Sequence, residues 1–341
     1  MKILVGISGG VDSAFAAKKL LSLGHAVEGA VLVMHEHTEV GAARDAAVSI
    51  GIRLHEIDCT KSFNSIKENF VKEYVSGRTP NPCIICNERV KFATLYDYAM
   101  KNGFDAIATG HYAKVISFGE VEDRRFALEI AEDSRKDQTY MLYRLPQNIL
   151  SRLILPLSEG KKTEIRVLAE EQGISAANRS DSQEICFLPE GNHTEYIERV
   201  AGKSPEGDFV DENGKILGRH KGIIHYTVGQ RKGLGISLGE RAFVTNIDPE
   251  TNTVTLSPKM SGVSEVRLSN MVYSGMKSPE KVVKAKLQVK LRYTAPLTET
   301  EAELHPDGSG ILRFVSPVKS APGQSAVLYL NDRVMCGGFI D

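Results

Sequence analysis

KILVGISGGVDSAFAAKKLLSLG, residues 2–24, runs from an apolar β-branched stretch through a turn, GISGGVDS, into a segment whose apolar residues recur at helical spacing. Glycines in such a strand-to-helix turn let successive backbone N–H groups and the helix N-terminus converge on one point, and Ser8 and Ser13 add hydroxyl donors. The pattern reads as an anion cradle suited to phosphate. The plainer alternative is an ordinary glycine-rich connection. No GK[ST] follows, so the turn is not a Walker A loop, and it does not match GxGxxG. An acidic Asp12 inside an anion site makes chemical sense with Mg²⁺ between it and the phosphates.

Outward from this turn the pattern repeats. Residues 26–34, 53–59 and 105–111 read as further strands, with helical spacing at 13–24, 40–50, 61–76 and 87–102, and Gly24, Gly51, Gly77 and Gly103 fall where helices stop. Strand–helix alternation at this period predicts an α/β fold, a doubly wound parallel sheet covered on both faces. Helical character continues through 163–173 and 194–202. From about residue 205 glycine, proline and short alternating strands take over, which predicts two small β modules, the last a β-barrel ending in a hairpin around Asn331-Asp332. The expected division is 1–202 catalytic, 203–265 a small central domain and 266–341 the barrel.

With 341 residues, 42% hydrophobic and 25% charged, the chain has the composition of a soluble globular protein of two or three domains. No apolar run reaches the length of a membrane span, and the N-terminus is broken by glycine too early for a secretory signal, so a cytoplasmic protein without membrane contact is expected. The net charge of −1 requires any nucleic acid to be held by local basic surface. Five cysteines in such a chain are no disulfide framework, and the close pair in NPCIICN (81–87) points instead to metal binding or catalysis. Cys59, ending an apolar strand, and Cys336, in the terminal hairpin, read as structural.

SGGVDS resembles the pyrophosphate loop of the N-type ATP pyrophosphatases, which cleave ATP between its α and β phosphates. Within that group TGHYA (109–113), KDQTYML (136–142), DSQEICFL (181–188), HYTVGQRKGLGI (225–236), LRYTAP (291–296) and APGQSAV (321–327) are similar, in order and over essentially the whole chain, to the tRNA-specific 2-thiouridylases. The resemblance implies ATP-dependent thiolation of the wobble uridine of lysine, glutamate and glutamine tRNAs. It assigns ATP to Gly6, Ile7, Ser8, Gly9, Gly10, Val11, Asp12 and Ser13, with Leu32 and Gly110, and implies that Asn81, Pro82 and Cys83 border the target base. It implies tRNA contacts at His111, Lys136, Asp137, Gln138, Arg292, Tyr293 and Gln324.

The same resemblance sorts the cysteines. Replacing the uracil C2 oxygen by sulfur requires adenylating that oxygen, a persulfide to deliver sulfur, and a second thiol to cleave the S–S bond. Cys186 matches the persulfide carrier and Cys86 the attacking thiol, with a transient Cys86–Cys186 disulfide; Ile185 and Phe187 alone would suggest a buried small hydrophobe. Cys83 departs from the family, which often has aspartate there. Two roles stay open for it: an acid–base group, which needs a lowered thiol pKa, or a ligand with Cys86 and Cys186 of a [4Fe-4S] cluster carrying the sulfide.

On the RNA side, alternation in KVVKAKLQVKLRY (281–293) puts Lys284, Lys286, Gln288, Lys290 and Arg292 on one strand face, either a phosphate-binding surface or simply a solvated one. The expected partners are tRNA and a persulfide-donating sulfur relay protein or cysteine desulfurase, with the enzyme a monomer. Two competing functions are weighed. An adenylating enzyme using a nitrogen nucleophile would not need the thiols. A non-catalytic RNA-binding protein with a zinc CxxC would want a fourth ligand, and no second CxxC exists.

Overall fold

The strand–turn–helix opening folds as its pattern predicts. In the computed structural model, which describes residues 1–174, 185–188, 192–236, 241–260 and 262–341, β1 (Lys2–Gly6) leads through the glycine turn into α1 (Val11–Ser22). There follow β2 (Ala26–Val33), α2 (Val40–Ile50), β3 (Leu54–Asp58) and α3 (Thr60–Val75). Gly24, Gly51, Gly77 and Gly103 all stand at positive φ just beyond helices, which only glycine tolerates without strain.

The next helix starts earlier than its periodicity suggests. Asn81 accepts a hydrogen bond from the Cys83 N–H at 3.2 Å and Pro82 occupies the first turn, so α4 (Pro82–Cys86) begins inside NPCIICN. A π-turn over Asn87–Lys91 then joins it to α5 (Phe92–Lys101). Beyond lie β4 (Ala106–Ala108), β5 (Lys114–Phe118), β6 (Arg125–Glu129), α6 (Thr139–Leu142), α7 (Gln147–Leu150), β7 (Leu153–Ile154), α8 (Lys162–Glu171) and α9 (His193–Ala201).

The parallel sheet has the order β3-β2-β1-β4-β7. The chain runs outward from β1 to β3 and returns on the other side of β1 as β4, so the crevice at the carboxyl ends of β1 and β4 is the topological switch point where open α/β sheets bind ligands. The glycine turn lies there.

After α9 come β8 (Gly207–Val210), β9 (Ile216–His220), β10 (Phe243–Asp248) and β11 (Thr253–Ser257), a small sheet in the order β10-β11-β8-β9. The last strands are β12 (Val263–Val272), β13 (Val283–Lys290), β14 (Thr298–Leu304), β15 (Gly310–Val318), β16 (Ser325–Leu330) and β17 (Arg333–Ile340). They close into a barrel because β12 pairs with both β15 and β17. The hairpin β5–β6 was not foreseen; it extends the barrel sheet through Arg333 opposite Glu129. Val327, Tyr329 and Val334 of the barrel share one apolar cluster with Leu4, Ile84, Phe92 and Ile107, so barrel and parallel sheet are packed through a common core. No helix among the described residues is long and apolar enough to cross a membrane.

Candidate active site

The glycine turn is held by its own serines. Ser13 Oγ donates to the Gly10 carbonyl at 2.9 Å and accepts from the Ser8 N–H at 3.2 Å, fixing the loop over the start of α1. Gly110 closes the other side. A Cβ there would stand 2.5 Å from the Asp12 carbonyl carbon and 2.6 Å from the Ser13 nitrogen, so only glycine lets the end of β4 approach. The next two residues of TGHYA diverge. Tyr112 reaches back to the cradle, its hydroxyl donating to Asp12 Oδ1 at 2.8 Å, while the His111 ring lies against Phe92 with centroids 5.4 Å apart.

Asp12 also accepts from Nζ of Lys162 at 2.6 Å, a buried residue only 7% exposed. The sequence reading missed Lys162; its position opening a helix after PLSEG, beyond the last strand of the sheet, was the available signal. The Asp12 carboxylate remains 27% exposed, so it has room to share a Mg²⁺ ion with phosphate oxygens, the usual way that ion is held. Leu32 sits half-buried at the end of β2.

Cys86, Cys83 and Cys186 lie within electrostatic reach of one another. Cys86 is 4% exposed, and burial pushes its thiol up to about 12. Cys83 is half-buried and Cys186 exposed, and all the cysteines are free. Burial raises the Cys186 thiol, an effect opposed by the ammonium of Lys91. Residues 181–184 of DSQEICFL lie outside the described residues. Phe187 and Leu188 share an apolar cluster with Cys86, Phe63 and Phe70, which carries Cys186 to the Cys86 side of the sheet. Among the described residues no three His, Cys, Asp or Glu side chains converge closely enough to hold a metal ion, so the three thiols do not form a ready cluster site.

The residues matched to tRNA contacts divide by exposure. Lys136 and Arg292 are exposed and Tyr293 half-buried. Asp137 is 3% exposed, takes the Thr139 hydroxyl at 2.6 Å and lies 3.6 Å from Lys290, so it ties β13 to the catalytic part. Gln138 accepts the Tyr112 N–H at 2.9 Å, and Gln324 donates to the Thr79 carbonyl at 2.6 Å. His111 shares a hydrogen bond with Thr109 Oγ1 at 2.9 Å through Nδ1, and burial, with Lys91 nearby, pushes its pKa down to about 3, so the ring is neutral. The basic face of β13 is not free either. Lys284 and Lys286 stand opposite Glu303 and Glu301 of β14, and Lys284 pairs with Glu303 at 3.3 Å.

Family profiles cover the chain: residues 1–190 match the tRNA methyl transferase HUP domain, 194–258 the tRNA methyl transferase PRC-barrel domain and 263–340 an aminomethyltransferase beta-barrel domain. A tRNA-specific 2-thiouridylase of Treponema denticola is 40% identical over 100% of this chain and 98% of its own. Others from Clostridium botulinum (strain Loch Maree) and Lachnoclostridium phytofermentans are each 40% identical over 99% of this chain, and 98% and 99% of theirs. Among solved structures, a 4-thiouridine synthetase–RNA complex with bound ATP aligns at 23% identity and a TM-score of 0.35, over 59% of this chain and 49% of that one.

Proposed function

The chain belongs to the tRNA-specific 2-thiouridylase family, and on that premise we propose how its residues divide the reaction. The enzyme is a tRNA-uridine 2-sulfurtransferase, replacing the C2 oxygen of a tRNA uridine by sulfur. It uses ATP to activate that oxygen. The family profiles carry methyl-transferase descriptions, but the full-length relatives are thiouridylases. The wobble uridine of lysine, glutamate and glutamine tRNAs is the substrate we assign.

Gly6 to Ser13 cradle the triphosphate, with Leu32 and Gly110 against the nucleoside. Asp12 would hold a Mg²⁺ ion shared with the phosphates, which supplies charge neutralisation there, and Lys162 stands beside it as a fixed cation. The uracil C2 oxygen attacks the α-phosphorus and pyrophosphate leaves. The target base, turned out of its stack, is bordered by Asn81, Pro82 and Cys83. Cys186, exposed, suits loading by a sulfur relay protein or cysteine desulfurase.

The outer persulfide sulfur then forms the bond to C2. The Cys86 thiolate attacks the Cys186 sulfur, the S–S bond breaks toward the outer sulfur, and AMP leaves with the C–O electron pair. Products are 2-thiouridine, AMP and a Cys86–Cys186 disulfide, which an external thiol reduces. The two protons lost by Cys86 and the persulfide end on uracil N3 and on AMP. Cys83 is read as an acid–base group in place of aspartate. A [4Fe-4S] cluster on Cys83, Cys86 and Cys186 is the competing route, and no step is derived through it because these side chains do not converge as ligands. Residues 203–265 and 266–341 are assigned to tRNA binding, and a cytoplasmic monomer is the expected form.

The observation that carries this reading is the convergence of Cys86 and the Cys186 segment on one apolar cluster, with TGHYA linking that side to the SGGVDS loop. Incubation with ATP, a persulfide donor and unmodified tRNA should yield thiolated nucleoside; none, with an active donor, would remove the reading. Active protein that purifies anaerobically without iron or acid-labile sulfide excludes the cluster route.

A further inference from the structure

Lys91 closes the π-turn that follows Cys86. Five positions along an α-helix turn a side chain about 140° away round the axis, whereas the wider i→i+5 turn brings residue 91 back toward the face that carries Cys86. Its neighbour Phe92 seats the His111 ring, and the cluster holding Cys86 also holds Phe187 and Leu188, beside Cys186. The Lys91 ammonium is thereby brought near enough to Cys86, Cys83, Cys186 and His111 to act on them electrostatically.

Among the described residues, three enclosed cations beside reactive or core positions have anions, Lys162 with Asp12, Lys290 with Asp137 and Arg144 with Glu88, and two others bond backbone carbonyls, Arg125 those of Tyr273 and Met276 and Lys19 that of Pro156. Among the described residues Lys91 has neither a carboxylate nor a hydrogen-bond partner. Lys91 is half-buried, and a partly desolvated ammonium without a counter-charge is less stable than a paired one, an arrangement found at functional sites as well as in structural ones. His111, held neutral, cannot take the place of that cation.

We propose that Lys91 is the fixed counter-ion of sulfur transfer, holding the persulfide anion on Cys186 and the Cys86 thiolate that displaces sulfur from it. Lys91 stays protonated throughout and makes no bond; the electron pairs move as described above. This role rests on the Cys86–Cys186 route. It also gives a reason for the π-turn, since a regular helix would carry the ammonium away from the sulfurs.

The test uses the full-length enzyme with preloaded persulfide, ATP and unmodified tRNA in a single turnover, following pyrophosphate and thiolated nucleoside separately. Lys91→Met should release pyrophosphate at close to the wild-type rate and form thiolated nucleoside about a hundredfold more slowly, with Lys91→Arg restoring most of the transfer. Wild-type transfer in Lys91→Met, or equal loss of both products, would overturn the proposal. If Lys91→Met melts early, Lys91→Gln is judged by the same two outcomes. Cys86→Ser run alongside separates the failures. If it thiolates normally, the persulfide route itself fails; if it is inactive while Lys91→Met transfers normally, only the counter-ion fails.

Discussion

Cys86 and Cys186 have different surroundings, which suit the different steps proposed for them. Burial keeps Cys86 protonated at neutral pH, with a pKa pushed up to about 12, while Cys186, its thiol also raised by partial desolvation but with Lys91 opposing the rise, is an exposed residue that reagents can reach. A thiol must ionise before it attacks, so a raised pKa means reactivity that grows as pH rises toward that value. Alkylation at neutral pH, mapped by peptide mass, should modify Cys186 before Cys86, with the Cys86 rate climbing through the alkaline range. Faster labelling of Cys86 at neutral pH would contradict this assignment. The two cysteines stand out in the sequence by the motifs around them, whereas Lys91 and Lys162 do not: a lysine in a helical segment looks the same whether it faces water or a cluster of titratable groups.

At the scale of elements, β13 shows where periodicity stops being informative. Alternation gave its core face correctly, since Leu287 and Val289 are buried. What lies opposite is set by pairing, and the partner strand TETEAEL supplies glutamates to the basic face. A surface ion pair contributes little to stability, yet it removes a charge from the field that RNA sees. Lys284→Ala should leave tRNA affinity and its salt slope nearly unchanged. Arg231→Ala with Lys232→Ala, on the exposed glycine-rich turn, should weaken binding across sequences and flatten that slope. A large loss from Lys284→Ala alone would restore β13 as the phosphate surface. The helix inside NPCIICN is not read from periodicity, which places its start at residue 87; the signal for it is the Asn81 cap with Pro82 after it, and the π-turn that follows leaves no mark in composition.

The molecule as a whole is less modular than its sequence. The change of texture near residue 205 marks the β modules, but the barrel also grips the segment entering the active site. Thr79 N–H donates to the Pro322 carbonyl at 2.8 Å, Gln324 holds the Thr79 carbonyl, and Arg78 donates to the Ile340 carbonyl at 2.9 Å. Gly323, at φ +87°, would bring a Cβ within 2.9 Å of Thr79 N. Gly323→Ala should therefore cost about 1–3 kcal/mol of stability, from steric crowding and backbone strain, and slow sulfur transfer by shifting Asn81 and Cys83; an unchanged melting curve and rate would refute that coupling. Such contacts join residues more than two hundred positions apart, and no local pattern announces them.

The reaction scheme stands or falls on a single-turnover experiment with persulfide-loaded enzyme, ATP and unmodified tRNA, quenched with acid and analysed for nucleosides and cysteine-linked peptides. One Cys86–Cys186 disulfide should appear for each 2-thiouridine formed, and Cys86→Ser and Cys186→Ser should release pyrophosphate without thiolating. Thiolated product from Cys186→Ser, or product without the disulfide, would show that sulfur travels by another route.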